Sequence, residues 1–179
     1  MKKGWLVAAA LAVAMAACTT AKNLPASEGP LVGKRVLVHL KTGFAQDDNQ
    51  PCVAFNVAHA ALMQGARVEM LFDAGAVVDL KIWQGKPTSL AYELPEKLKT
   101  ILQAQFPEPR KENFPRNYQE LLHWLHGKGV EVTFNGSLAQ LTSLSDDVHD
   151  VGQLEPIAKP LALVELLHHR QRADLYLVY

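Results

Sequence analysis

The sequence predicts one α/β domain with a mostly parallel sheet and helices on both faces. Three observations predict it. Residues 35–72 read as strand, helix, strand; short apolar runs alternate with helical segments to the last residue; and 49% of the chain is apolar against 20% charged, an ordinary globular composition. The length, 179 residues, suits a single domain. Lys and Arg number 18, as do Asp and Glu. Such a balance excludes a nucleic-acid binder working by bulk charge, which needs a clear basic excess. Two cysteines are too few for a disulfide framework or a thiolate zinc site.

The chain opens on Met1-Lys2-Lys3, followed by an uncharged, almost wholly apolar run from Gly4 to Ala17. A membrane-spanning helix needs about 20 apolar residues; a shorter run behind a basic start and ending in small residues reads as a secretory signal over 1–17. Met15-Ala16-Ala17-Cys18 resembles the lipobox of bacterial lipoprotein precursors. The resemblance implies that Cys18 is lipidated and becomes the mature first residue, tying the protein to a membrane. Thr19 follows instead of the Asp that resembles an inner-membrane retention signal, so the outer membrane, facing the periplasm, is expected. Removing 1–17 leaves 179 − 17 = 162 residues; it also removes two lysines, so 16 basic residues face 18 acidic ones. Residues 18–33, polar and broken by Pro25, Gly29, Pro30 and Gly33, read as a tether.

The domain proper is expected over 34–179. Arg35-Val-Leu-Val-His-Leu40 is nearly continuous in apolar residues, as a strand buried on both faces should be. Asp47-Asp48-Asn49-Gln50-Pro51 reads as a helix start, with carboxylates near the positive end and Pro in the first turn. Apolar residues at 54, 57, 58, 61 and 62 form the buried stripe, and Gly65 ends the helix. Val68–Phe72 is the second strand. One strand-helix-strand unit of this length implies parallel strands and a right-handed crossover. Further on, a short helix is expected over 74–82, an irregular stretch over 84–95, and a helix over 96–105. Three prolines then interrupt 106–115. A helix over 118–128, a strand over 130–134, a short helix over 137–144, a helix over 159–172 and a last strand over 174–179 complete the expectation.

Val36-Leu-Val-His-Leu-Lys-Thr-Gly43, then Ala54…His59-Ala60-Ala61-Leu62…Gly65-Ala66-Arg67-Val68-Glu69…Phe72, resembles the opening of DsrE/DsrF-like proteins. Gly75-Ala-Val77, Gly129-Val130-Glu-Val-Thr-Phe134-Asn135, and a late Leu-rich helix before Ala173-Asp174 continue the pattern over about residues 34–179. The resemblance implies a three-layer fold of about five strands and assembly as trimers or hexamers. In some members a cysteine after the third strand carries persulfide sulfur. The matching position here is Asn135, and an amide cannot hold a persulfide, so that chemistry is not expected to carry over.

Ligands of open α/β sheets bind at the carboxyl ends of parallel strands. That edge should collect Lys41, Thr42, Gly43, Asp73, Asn135, Gly136 and Ser137, which offer hydrogen bonds and backbone amides. The 84–115 insertion is long enough to fold over it. Cys52, at a helix start that favours the thiolate, is a candidate catalytic thiol opposed by Asp47 and Asp48. It shares a helical face with Asn56, His59 and Met63, but His59 is about 10 Å along the axis, beyond the reach of a base. Seven histidines form no spacing recognised for zinc. No metal and no cofactor are expected. Two functional readings follow. The first is a lipid-anchored, non-catalytic module that binds a small ligand or protein partner and assembles with itself. The second is a sulfur-handling or thiol-redox protein acting through Cys52.

Overall fold

The structure, a computed structural model, describes residues 29–179. The signal over 1–17, the lipidation expected at Cys18 and the tether as far as residue 28 lie outside the described residues. No helix among the described residues is long and apolar enough to cross a membrane.

Five strands make the main sheet: β1 (Arg35–Leu40), β2 (Arg67–Phe72), β5 (Glu131–Asn135), β6 (Lys159–Leu161) and β7 (Leu175–Val178). Their order is β6-β5-β2-β1-β7, and every pair is parallel. The protein is therefore a single α/β domain on a five-stranded parallel sheet flanked by helices. Residues 36–40 of β1 are all buried, as its unbroken apolar run requires.

The two faces of the sheet are covered unequally. On one, Val36, Val38, Leu40, Met70, Phe72, Val132 and Phe134 pack against α1 (Asn49–Met63), through Ala54, Phe55 and Ala58, and against α3 (Tyr118–Gly127), through Leu121, Leu122 and Leu125. Leu98 and Leu102 of α2 (Glu96–Gln105) extend that core. The other face carries a small cluster, Leu37, Leu71, Leu161 and Leu166, under the single helix α5 (Leu163–Arg172). Polar side chains also stand on this face, among them His39, Glu69, Thr133 and Asn135.

The structure departs from the expected elements in three places. The helix expected over 159–172 is a three-residue strand followed by α5. Pro160, the middle residue of β6, is tolerated because this is an edge strand. The stretch expected to be irregular over 84–95 opens with the turn and second strand of a small hairpin, β3 (Ile82–Trp83) with β4 (Lys86–Pro87). Gln84 and Gly85, at φ 51° and 75°, make the two-residue turn whose positive φ angles suit strand twist. The helix expected over 74–82 is a 3-10 run, Ala74–Leu80, and the short helix after β5 is α4 (Gly136–Leu141).

Candidate functional site at the carboxyl edge of the sheet

Asp73 follows β2 directly and is the hub of the edge. Its Oδ1 accepts from its neighbour Ala74 N–H at 2.8 Å and from Asn135 Nδ2 at 2.8 Å. Its Oδ2 lies 3.0 Å from His39 Nε2 and accepts from Arg170 Nη2 at 3.2 Å. The hydrogen bond from His39 holds the Asp73 carboxyl well below the usual carboxylate range, with Asn135 and Ala74 adding to it against the effect of burial. An ionised carboxylate only accepts, so His39 carries its proton on Nε2. Its Nδ1 is hydrogen-bonded to the Tyr176 hydroxyl at 2.6 Å. His39 is 1% exposed, whereas Tyr176 stands at the surface with the Arg170 guanidinium 5.9 Å from its ring centre. The Asp73–His39–Tyr176 chain holds the phenol oxygen at the end of a line of hydrogen bonds. It also ties β1, β2 and β7 together across the edge.

Asn135 ends β5 and caps α4. Its Oδ1 accepts from Leu138 N–H at 3.1 Å while its Nδ2 donates to Asp73. The Asn135 side chain is thus engaged at both ends. Gly136 lies against the Val148 carbonyl so closely that a Cβ there would collide with it. Ser137 is half-buried beside it.

The loop after β1 spends its amides inside the protein. Lys41 and Thr42 N–H donate to the Tyr179 carbonyl at 2.7 and 3.2 Å, Gly43 N–H to Gln46 Oε1 at 3.1 Å, and Phe44 N–H to the Asp79 carboxylate at 3.1 and 3.3 Å. Of the expected edge residues, Asp73 and Asn135 are brought into contact. Lys41, Thr42 and Gly43 join the edge through the backbone, Gly75 N–H donating to the Lys41 carbonyl at 3.0 Å.

Cys52 is half-buried on α1, its Sγ 4.0 Å from Asn56 Nδ2. It lines a cavity of about 740 Å³ together with Tyr92, Glu93 and Tyr118, so the insertion folds against the start of α1. Burial first, then contact with the Cys52 sulfur, pushes the Tyr118 phenol far above its ordinary range. His59 is committed elsewhere. Its Nε2 meets the Glu108 carbonyl at 2.8 Å and its ring packs on Phe106 and Trp124. Burial lowers its pKa, partly offset by that carbonyl.

Other histidines have carboxylate or carbonyl partners: His123 with Glu155 at 3.0 Å, His169 with Glu69 at 2.8 Å, His126 with the Val130 carbonyl at 3.2 Å. Among the described residues no three His, Cys, Asp or Glu side chains are grouped to hold a metal ion. Sequence reasoning missed Arg170 and Tyr176, which complete the Asp73 network from elements about 100 residues further on. It also missed the buried carboxyls of Asp79 and Glu155. The chain matches no protein-family model and no curated protein.

Proposed function

We propose that the protein is a lipid-anchored module of the bacterial cell envelope that assembles with copies of itself and binds a small ligand or protein partner. In this reading it resembles DsrE/DsrF-like proteins but lacks their sulfur-carrying cysteine. The observation that carries the reading is an exposed apolar surface on α5 and β7. Leu163, Val164 and Leu167 are 59–63% exposed, and Tyr176 and Val178 are 43% and 49% exposed. At about 100° per residue the first three lie together on one side of α5, beside the Leu166 side that meets the sheet. Clustered exposed apolar residues of this size mark interaction surfaces.

The strand edges favour a second copy as the occupant. β6 is short and carries Lys159 and Pro160, two usual protections of an edge. β7 ends the other side of the sheet as Leu-Tyr-Leu-Val, with neither proline nor charge. Such an edge is open to a neighbouring chain, and a head-to-tail contact that closes into a ring covers it in every copy of a trimer, two such rings making a hexamer. The sulfur-handling reading through Cys52 is disfavoured because the histidine on its own helix face is held by the Glu108 carbonyl.

Sedimentation of the chain without residues 1–18 tests the assembly; the core and sheet described above lie within 29–179. Trimers or hexamers are expected at micromolar concentration. Leu167→Glu with Val178→Lys should yield monomers whose melting temperature stays within a few degrees of the assembled protein's. A wild-type monomer at that concentration would count against the reading. The anchor has its own test: Cys18→Ser in the full chain should abolish fatty-acid labelling and membrane fractionation, and labelling that survives would remove the lipoprotein part.

A further inference from the structure

The opposite edge of the sheet, where the strands begin, holds a second cavity of about 540 Å³ beneath the last turn of α5. Three arginines line it: Arg35, the first residue of β1; Arg67, the first of β2; and Arg172, the last of α5. All three are exposed, and none of their guanidinium groups has a hydrogen bond or ion pair within the described residues. Arg35 and Arg67 are direct register partners on neighbouring parallel strands, so their side chains leave the same face about 4.8 Å apart at their roots. Like charges placed directly opposite each other in a sheet are destabilising. A fold free to choose would place an acid at one of these positions.

The acids that do line the cavity are already occupied. Glu69 lies 2.8 Å from His169 Nδ1 and accepts from the Thr133 hydroxyl at 2.6 Å. Glu131 accepts from Lys159 Nζ at 3.1 Å. Asp174, just outside, holds Lys34 at 3.7 Å and the Arg35 backbone N–H at 2.8 Å. The three guanidiniums have no hydrogen-bonded carboxylate of their own, although the Asp174 carboxyl feels the Arg35 charge, and they surround an apolar floor that includes Leu37 and Ala173.

We propose that this cavity is a binding site for a phosphate ester, with Arg35, Arg67 and Arg172 as its anion ligands. A carboxylate offers two oxygens and satisfies one guanidinium fork. A phosphate monoester or diphosphate offers enough oxygens, spread around the phosphorus, to meet three, and planar forks match phosphate geometry. The cavity is larger than a bare anion needs, so the floor receives the organic part of the ester. One source is a soluble phosphorylated metabolite. The other is the headgroup of an anionic phospholipid, because residues 29–34, which run into β1, lie at this same edge. That second source rests on the lipid-anchor reading; the site itself does not.

Thermal unfolding of the chain without residues 1–18, with pyrophosphate as probe and sodium chloride of equal ionic strength as control, is the first arm. Pyrophosphate at millimolar concentration is expected to raise the wild-type midpoint by several degrees more than the salt does. Arg35→Gln with Arg67→Gln should weaken pyrophosphate binding about tenfold or more, the loss expected for charge-assisted hydrogen bonds. Without ligand, Arg67→Gln should melt slightly above wild type because the like-charge pair is relieved, so a lost response cannot be ascribed to misfolding. Lys86→Gln, on the distant hairpin, removes one charge and should leave the response intact.

The second arm is co-flotation with vesicles of phosphatidylcholine, with and without phosphatidylglycerol. Flotation that needs both phosphatidylglycerol and the arginines assigns the headgroup. A pyrophosphate response without flotation assigns a soluble ester. No pyrophosphate effect beyond salt together with no arginine-dependent flotation, or equal responses in the double variant and wild type, overturns the site.

Discussion

Replacing Asp73 by alanine is expected to destabilise the protein by about 2–4 kcal/mol, the range for removing one partner of a largely buried ion pair. The loss has an identifiable origin. Asp73 is the shared acceptor for His39, Asn135 and Arg170, and its side chain is only 13% exposed. Without it the Arg170 guanidinium keeps its place over Tyr176 with no carboxylate. Arg170 Nε is already buried without a partner, so the group has little spare hydrogen bonding to fall back on. The melting temperature should drop by about 4–16 °C, from the few degrees per kcal/mol typical of a domain this size.

The pH dependence of that loss follows from the depressed carboxyl. A carboxyl held below its unfolded value contributes stability above the unfolded pKa and loses it as pH falls through its own. The gap between wild type and Asp73→Ala should therefore be full at pH 6–7 and narrow on acidification below about pH 4. A gap of under 0.5 kcal/mol at neutral pH would mean that the network adds little to stability. Tyr176→Phe, which removes the hydroxyl from His39 Nδ1 but leaves the ring, should cost about 1 kcal/mol. Chemical denaturation followed by tryptophan fluorescence measures both variants.

What could be read in advance follows the range of the interactions. β1, α1 and β2 are legible because their pattern is local: a continuous apolar run, a helical stripe at 54, 57, 58, 61 and 62, and a second run. The parallel pairing then follows from the length of the crossover alone. β6 is illegible for the same reason in reverse. Three residues with a central Pro160 show no periodicity, and only their pairing with Thr133, Phe134 and Asn135 makes them a strand. At the carboxyl edge the strand-end rule puts Asp73 and Asn135 side by side, and they are in contact. It says nothing of Arg170 and Tyr176, whose contributions depend on where α5 crosses the sheet. The opposition of Arg35 and Arg67 is likewise a fact of register, invisible until β1 and β2 are aligned.

Asp79→Asn is expected to stabilise the protein above pH 6, by up to about 3 kcal/mol, an unusual sign for a buried substitution. Asp79 lies in the 3-10 run after β2 and is 2% exposed. Burial pushes its carboxyl up to about 6, while the Phe44 N–H and the Ser89 hydroxyl oppose the shift without cancelling it. A carboxyl whose folded pKa is raised contributes stability below its unfolded pKa and loses it as pH rises through the folded one. The wild type should therefore weaken between about pH 4 and pH 7, since a rise of about two pKa units corresponds to about 3 kcal/mol. Asparagine is nearly isosteric and never ionises. Its Oδ1 can still accept from Phe44 N–H, and the Ser89 hydroxyl can turn to accept from its Nδ2. At pH 4 the two proteins should have similar stability; at pH 8 the variant should melt higher. Denaturant titrations at half-unit pH steps measure the difference directly. A variant less stable than wild type at pH 8 would show that Phe44 and Ser89 recognise the ionised carboxylate, and that its hydrogen bonds outweigh the cost of burying it.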